Sequence, residues 1–190
     1  MKELAFDAVV IGGGAAGMAA ALELEAAGRS VAVVEREERL GGILGQCIHN
    51  GFGLIEFEEE LTGPEFAERF EARLGKRPIR VFCGCTVLDL EDEGKTVACV
   101  SSEQGVMRLH ALAVILAMGC RERNRGNIRI PGSRPAGVYT AGLAQRLVNV
   151  EGYVPGKDVV VIGSGDIGLI MARRMSWIGC KVHAVVEILP

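Results

Sequence analysis

The sequence predicts an α/β fold: a parallel sheet with helices and an antiparallel β-meander, followed by the start of a second unit built like the first. Three observations predict it. Gly12-Gly13-Gly14-Ala15-Ala16-Gly17 follows the apolar run Val9-Val10-Ile11, and Gly163-Ser164-Gly165-Asp166-Ile167-Gly168 follows Val159-Val160-Val161-Ile162. Each turn leads into a helix-forming stretch and then a second apolar run ending on a glutamate, Glu35 or Glu187. Between these units lie short strand-like segments separated by single glycines, which is meander patterning.

The elements follow in order. Val9-Val10-Ile11 reads as a buried parallel strand, and residues 15–27 as an alanine- and leucine-rich helix stopped by Gly28. In the turn between them the first glycine permits a tight bend. The second lets a pyrophosphate approach bare backbone, and the third lets helix and strand pack closely. The N–H groups at the helix start, together with its dipole, then hold the anion. Residues 31–34 form the next strand, and Glu35 comes 35 − 12 = 23 residues after the first glycine, about the spacing at which a carboxylate meets ribose hydroxyls. The second unit repeats the order with a strand at 159–162, a helix over 167–178, Gly179, a strand at 181–186, and Glu187 at 187 − 163 = 24. A single G-x-G-x-x-G carries little information, because a glycine-rich helix start also serves packing. Two complete strand-turn-helix-strand-acid units predict two bound nucleotides.

Residues 36–63 form a long glycine-rich connection, expected to be a loop that contacts ligand, with the acidic run Glu56-Phe57-Glu58-Glu59-Glu60 as a solvated face. Gly63-Pro64-Glu65 opens a helix to about Leu74, with Pro64 near its first position and Phe66, Phe70 and Leu74 on one face. Strands are expected over 79–82, 86–90, 96–101 and 106–109. A fresh apolar run at 112–117 then reads as a last parallel strand whose small end, Ala117-Met118-Gly119, admits a ligand.

Composition narrows the function classes. Hydrophobic residues are 49%, charged residues 24%, and Lys+Arg 21 against Asp+Glu 24 gives a net charge of −3, so neither nucleic acid nor an anionic membrane is expected as a partner. The apolar runs are too short for a membrane span, and the first residues lead directly into a strand with no signal-peptide pattern. Six cysteines are scattered without a secreted framework, which predicts reduced thiols and a cytoplasmic location. Cys83-Gly84-Cys85 does not match C-x₂-C zinc spacing and no cluster completes it, so buried strand cysteines and no metal are expected.

The succession of dinucleotide turn, Glu35, Gly41-Gly42 loop, helix, meander, Val114-Ile115-Leu116-Ala117-Met118-Gly119 and second dinucleotide turn resembles the flavin-dependent pyridine nucleotide-disulfide oxidoreductase superfamily along the whole chain. Leu40-Gly41-Gly42-Ile43-Leu44-Gly45-Gln46-Cys47-Ile48-His49-Asn50-Gly51-Phe52-Gly53, Leu61-Thr62-Gly63-Pro64-Glu65 and the stretch from Gly163 to Ala172 are similar to a narrower branch. Its members accompany anaerobic glycerol-3-phosphate dehydrogenases. The resemblance implies a Rossmann-like FAD-binding domain at 1–135, a linker at 136–157, and the first βαβ unit of an NAD-binding domain at 158–190. By the same resemblance Gly12, Gly14 and Gly17 hold the FAD pyrophosphate, with Ala15 and Ala16 lending N–H groups. Glu35 takes the adenosine ribose and Arg36 lies beside the adenine. Gly42 and Gln46 run past pyrophosphate and ribityl, Val87 meets adenine through its backbone, and Ala117-Met118-Gly119 passes under the cofactor. For the second nucleotide Gly163, Gly165 and Gly168 take the pyrophosphate, with Asp166 and Ile167 at the helix start. Glu187 takes the ribose, its charge favouring NAD(H) over NADP(H).

The departures from the superfamily are equally specific. Neither dithiol is present: Cys47 falls where a C-x₄-C pair begins, yet Phe52 occupies the partner position, and Gly137-Val138 continues as Tyr139-Thr140-Ala141 rather than into C-x-x-C. Disulfide reduction is therefore not expected. Cys47 is a candidate thiolate or redox sensor, with a buried small residue as the favoured reading. His49 is a candidate for polarising substrate, with a backbone-bonded loop histidine favoured. Arg121-Glu122-Arg123-Asn124-Arg125 is expected to be a solvated inter-domain loop. The Gly-Asp segment that closes the FAD site is missing, because Leu143 stands where the Asp of Thr140-Ala141-Gly142 would be, so an N-terminal portion of a longer protein is expected. The implied activity passes hydride from NADH to FAD and on to an acceptor other than a protein disulfide. The candidate associations are a dehydrogenase subunit, a redox partner protein and a homo-oligomer. The competing readings are a non-catalytic or split nucleotide-binding module and a dehydrogenase that uses one nucleotide.

Overall fold

The computed structural model describes residues 1–133 and 135–188, and the chain divides into two compact units, Met1–Gly119 and Cys120–Pro190. In the first unit, strand β1 (Lys2–Ile11) starts half-exposed and ends in four buried residues, where neighbours close over both faces. Helix α1 (Ala15–Ala26) leads to β2 (Val31–Val34), whose four residues are all buried. A short uninterrupted apolar run of this kind belongs to a parallel strand covered on both sides. β2 pairs parallel to β1 from Ala8 with Val31 to Ile11 with Val34.

The connection after β2 is more ordered than its sequence predicts. A single-turn 3-10 helix spans Gly42–Gln46, and β3 (Asn50–Phe52) pairs antiparallel with β4 (Leu61–Thr62). The acidic run is not simply a solvated face. Phe57 turns inward to meet Phe66 and Phe70 edge-on, at 5.5 and 5.6 Å between ring centres. Arg73 lies 4.5 Å over the Phe57 ring and pairs with Glu56, while Arg69 pairs with Glu59. Packing Phe57 against helix α2 (Gly63–Leu74) brings Glu56 and Glu59 onto the arginines of that helix. That helix starts with a capping box between Thr62 and Glu65.

β5 (Arg80–Phe82), β6 (Cys85–Glu91), β7 (Thr96–Ser101) and β8 (Gly105–Leu116) complete a six-stranded sheet of order β5-β2-β1-β8-β7-β6. The first four strands run parallel and the last three form an antiparallel meander. The separate strands expected at 106–109 and 112–117 are one continuous strand. The polar residues that interrupt the apolar run, Arg108 and His110, stay in the ladder: Arg108 binds Glu91 at 2.9 Å and His110 Nδ1 lies 3.1 Å from the Thr96 hydroxyl. β8 thus serves both halves of the sheet. One face packs Val9, Ile11, Ala32, Val34 and Phe82 against the meander, and the other packs Val10, Val31 and Val33 against α1 and α2. The alternation follows from the two-residue period of a strand.

The second unit holds α3 (Ala141–Asn149), β9 (Asp158–Ile162), α4 (Asp166–Trp177) and β10 (Lys181–Val186), with β9 and β10 parallel. Much of the expected linker is therefore helical, and α3 contributes Val148 to a core with Met171, Met175 and Cys180. The 121–125 run is also tied into structure. Arg125 donates to the carbonyls of Pro131, Gly132 and Ser133, and Glu122 accepts the Gly142 N–H at the start of α3, at 2.7 Å.

Candidate nucleotide-binding turns

The first turn is shaped by main-chain contacts. Gly12 has φ +105° and donates its N–H to the Val34 carbonyl at 2.8 Å. A Cβ at Gly12 would lie 2.4 Å from the Ala117 carbonyl oxygen, and one at Gly17 would lie 1.8 Å from the Gly12 oxygen. Gly14 caps α1 without any side-chain bond, nothing lies within 4 Å of its missing Cβ, and the first helical turn carries no acid. Ala15 and Ala16 are exposed there. An uncapped helix start beside bare glycines is the arrangement that accepts an anion.

Glu35 closes this turn. Its carboxylate is buried, at 7% exposure, and accepts the Gly13 N–H at 2.7 Å and the Glu37 N–H at 2.9 Å, one on each oxygen. Its own main chain is pinned on both sides, to Phe82 and Cys85. A carboxylate oxygen has more than one acceptor direction, so these amides orient the group and leave it able to accept hydroxyls. The 41–46 segment crosses the turn: Gly41 N–H meets the Gly13 carbonyl at 2.8 Å, and a Cβ at Gly42 would be 3.2 Å from Gly14 Cα. Gln46 is half-buried in the same 3-10 helix. Ala117 joins from β8, its N–H bonded to the Ile11 carbonyl at 2.8 Å, and Gly119 follows with φ +69°. Arg36 is exposed and paired with Glu37. Val87 packs half-buried against the meander core, two residues beyond the Cys85 N–H that binds the Glu35 carbonyl.

Cys47 and His49 follow the 3-10 helix in the chain. Cys47 is buried, its carbonyl accepts the Gly63 N–H at 2.8 Å, and burial pushes its thiol pKa up. That is the environment of a packing thiol and not of a stabilised thiolate. His49 is half-buried with its ring 5.4 Å from that of Phe52. Cys85 and Cys99 are buried in the meander, where desolvation pushes Cys99 up to about 12. Among the described residues, no group of three or more His, Cys, Asp or Glu is arranged to hold a metal ion, and no helix is long and apolar enough to cross a membrane.

The second turn repeats the main-chain pattern of the first. Gly163 has φ +103° and donates to the Val186 carbonyl at 2.7 Å, and a Cβ at Gly168 would lie 2.3 Å from the Gly163 oxygen. Gly165 caps α4 without a side-chain bond, and Asp166 and Ile167 are the exposed first residues of that helix. Glu187 Oε2 accepts both the N–H and the hydroxyl of Ser164, each at 2.9 Å, and Ile188 N–H donates to Oε1 at 2.7 Å. The Ser164 hydroxyl has no counterpart at Gly13, and glycine spacing alone does not reveal it. Its signal in the sequence is a hydroxyl between the first two glycines of the motif.

The one-residue difference in spacing, 23 against 24, is resolved by a bulge. Both helices have twelve residues, the loop that follows is one residue shorter in the second unit, and β10 is two residues longer than β2. In β10 the ladder runs Lys181 with Asp158 and Val182 with Val159, then Ala184 with Val160, leaving His183 outside it. His183 Nε2 lies 2.7 Å from Asp158 Oδ1. The strand ends then match, Val186 opposite Ile162 as Val34 is opposite Ile11.

A parallel sheet whose strand ends carry glycine turns and ribose-spaced carboxylates defines the Rossmann-like dinucleotide-binding class. The chain belongs to the pyridine nucleotide-disulphide oxidoreductase family, which matches residues 6–190. Among curated proteins it is similar to an opine oxidase subunit from Agrobacterium tumefaciens (strain Ach5), 32% identical over 185 residues that cover 90% of this chain and 34% of that protein. It is also similar to hydrogen cyanide synthase subunit HcnB of Pseudomonas protegens, 28% identical over 97% of this chain and 39% of that protein. Among solved structures, L-proline dehydrogenase from P. horikoshii superposes with a TM-score of 0.71 at 25% identity, covering 98% of this chain and 36% of that one. The chain thus spans somewhat over a third of the length of these relatives.

Proposed function

We propose that the chain carries the FAD-binding portion and the nicotinamide phosphate turn of a flavin-dependent oxidoreductase that takes hydride from NADH and delivers electrons to an acceptor other than a protein disulfide. The observation that carries this reading is the pair of matching turns, each with a carboxylate bonded back to the residue after its first glycine. Family membership supports assigning the first turn to FAD. The residues around that turn fit the group: Gly12, Gly14 and Gly17 leave the helix start bare for the pyrophosphate, with N–H groups of Ala15 and Ala16 directed at it. Glu35 receives the adenosine ribose, Arg36 and Val87 flank the adenine, and Gly42, Gln46, Ala117 and Gly119 wall the remainder. Flavin bound there supplies the two-electron chemistry. At the second turn Gly163, Gly165, Asp166, Ile167 and Gly168 meet the pyrophosphate of the nicotinamide nucleotide, and Glu187 repels a 2′-phosphate, favouring NADH.

The absence of both dithiol patterns and the buried state of Cys47 support an acceptor other than a disulfide. The segments from Leu40 to Gly53 and from Leu61 to Glu65 support the branch that accompanies anaerobic glycerol-3-phosphate dehydrogenases, in which the partner is a dehydrogenase subunit. Two of the relatives bear the word subunit in their names, which supports a multi-chain assembly. Six free thiols suit a reducing cytoplasm. A second reading rests on the names of two relatives, an L-proline dehydrogenase and an opine oxidase subunit: the reductant is then an amino acid or an opine in place of NADH.

The test is anaerobic spectroscopy of the purified chain after FAD addition and desalting. Flavin absorbance that persists and is bleached by NADH supports the first reading, and bleaching by L-proline or an opine with none by NADH supports the second. A colourless protein overturns both and favours a non-catalytic module. Glu35→Gln is the matched control: its amide NH₂ faces the N–H of Gly13 or of Glu37, and one unsatisfied donor costs about 1–3 kcal/mol, so retained flavin falls about tenfold or more.

A further inference from the structure

We propose that Ser164 is a positioning residue for the second nucleotide, its hydroxyl holding Glu187 in place for the adenosine ribose of a dinucleotide with a free 2′-hydroxyl. The inference rests on the reading of the second turn as a nicotinamide site. It starts from a difference between otherwise matching turns. At Gly13 a Cβ would lie 2.3 Å from Leu40 Cδ2 and 3.2 Å from Glu35 Cβ, so no side chain fits there. Glu35 does not need one, because burial and the main-chain bonds to Phe82 and Cys85 already fix it.

At Glu187, just beyond the end of β10, the turn residue itself supplies a side-chain donor as well as a main-chain one. A glutamate side chain gives up rotamer freedom when it receives a ligand. Ser164 reduces that loss by placing two donors, its N–H and its hydroxyl, on the same carboxylate oxygen at 2.9 Å. Bonds to a charged acceptor are the stronger kind, and a group ordered before binding costs less to order during it. A carboxylate fixed beside the 2′ position also sharpens rejection of a 2′-phosphate. The serine therefore governs ribose affinity and nucleotide choice together.

Calorimetric titration of the 190-residue chain, with its first turn pre-saturated with FAD, using ADP-ribose and 2′-phospho-ADP-ribose tests this. The native chain is expected to bind ADP-ribose and to prefer it. Ser164→Ala is expected to weaken ADP-ribose about three- to tenfold, discounted for exposure, and to shrink the preference, with melting temperature unchanged. Ser164→Thr, which keeps the hydroxyl, is expected to restore both. ADP-ribose affinity that is unchanged or tighter in Ser164→Ala overturns the proposal. Equal weakening of both ligands also overturns it, since the serine would then act on the turn as a whole. Failure of the native chain to bind either ligand overturns instead the nicotinamide reading on which the proposal stands.

Discussion

At Gly17 the nearest obstacle to a side chain is backbone, the Gly12 carbonyl, and not the end of a flexible residue. Gly17→Ala therefore forces the turn and α1 apart. The expected cost is about 3 kcal/mol, or roughly 6–12 °C in melting temperature, with flavin retention lost; a thermal melt read beside the flavin band checks both. This demand is legible in the sequence because it falls on the motif's own backbone. The contact that forbids a side chain at Gly13 is not legible, because Leu40 arrives from beyond β2. A second residue separates the turns by charge. Asp166 stands in the first turn of α4, where α1 has no acid. A negative charge beside a pyrophosphate weakens its binding, so under the proposed two-nucleotide reading the second turn is expected to hold its nucleotide more loosely than the first. Asp166→Asn is expected to tighten NADH about three- to tenfold at low salt, with the gain shrinking as salt is raised, measured by fluorescence titration.

At the scale of elements, the start of α2 gives a pH signature. Glu65 accepts the Thr62 N–H at 2.8 Å and hydroxyl at 2.7 Å, and these bonds hold its carboxyl below the usual range. A carboxyl lowered in the folded chain contributes stability that is fully present above its unfolded pKa and is lost as pH falls through the folded value. Thr62→Ala is expected to lower the melting temperature by about 2–4 °C at neutral pH, with the difference from the native chain narrowing in acid, followed by circular dichroism. The helix, Pro64 and the face of Phe66, Phe70 and Leu74 are all legible from periodicity. Phe57 is not, because it sits among four glutamates and its packing depends on arginines about two and three turns into α2. Continuity of β8 is similarly hidden, since Arg108 and His110 look like a break until their partners across the sheet are known.

For the molecule as a whole, thiol reactivity reports whether the described packing holds. Cys120 is exposed and Cys83 half-buried, whereas Cys47, Cys85, Cys99 and Cys180 are buried. A thiol-disulfide reagent at neutral pH is expected to modify Cys120 quickly and Cys83 slowly, leaving the other four until denaturant is added; fast modification of Cys85 or Cys99 would contradict the meander core. The order of strands, turns and carboxylates across both units is legible in the sequence, while α3 is not, because it is only nine residues long and its start, Thr140-Ala141-Gly142, reads as a turn. His183 stands outside the β9–β10 ladder. Pairing of the strands, and not the count of residues between turn and glutamate, keeps Glu187 beside Ser164, and the bulge acts as slack that takes up a length change. Deleting His183 is thus expected to straighten β10 without moving the acid, leaving ADP-ribose affinity within about twofold of the native chain by calorimetry, well inside the range that a lost charged hydrogen bond would produce. Relatives of this chain are then free to gain or lose a residue in that strand, so drift in motif spacing is a poor guide to loss of the site.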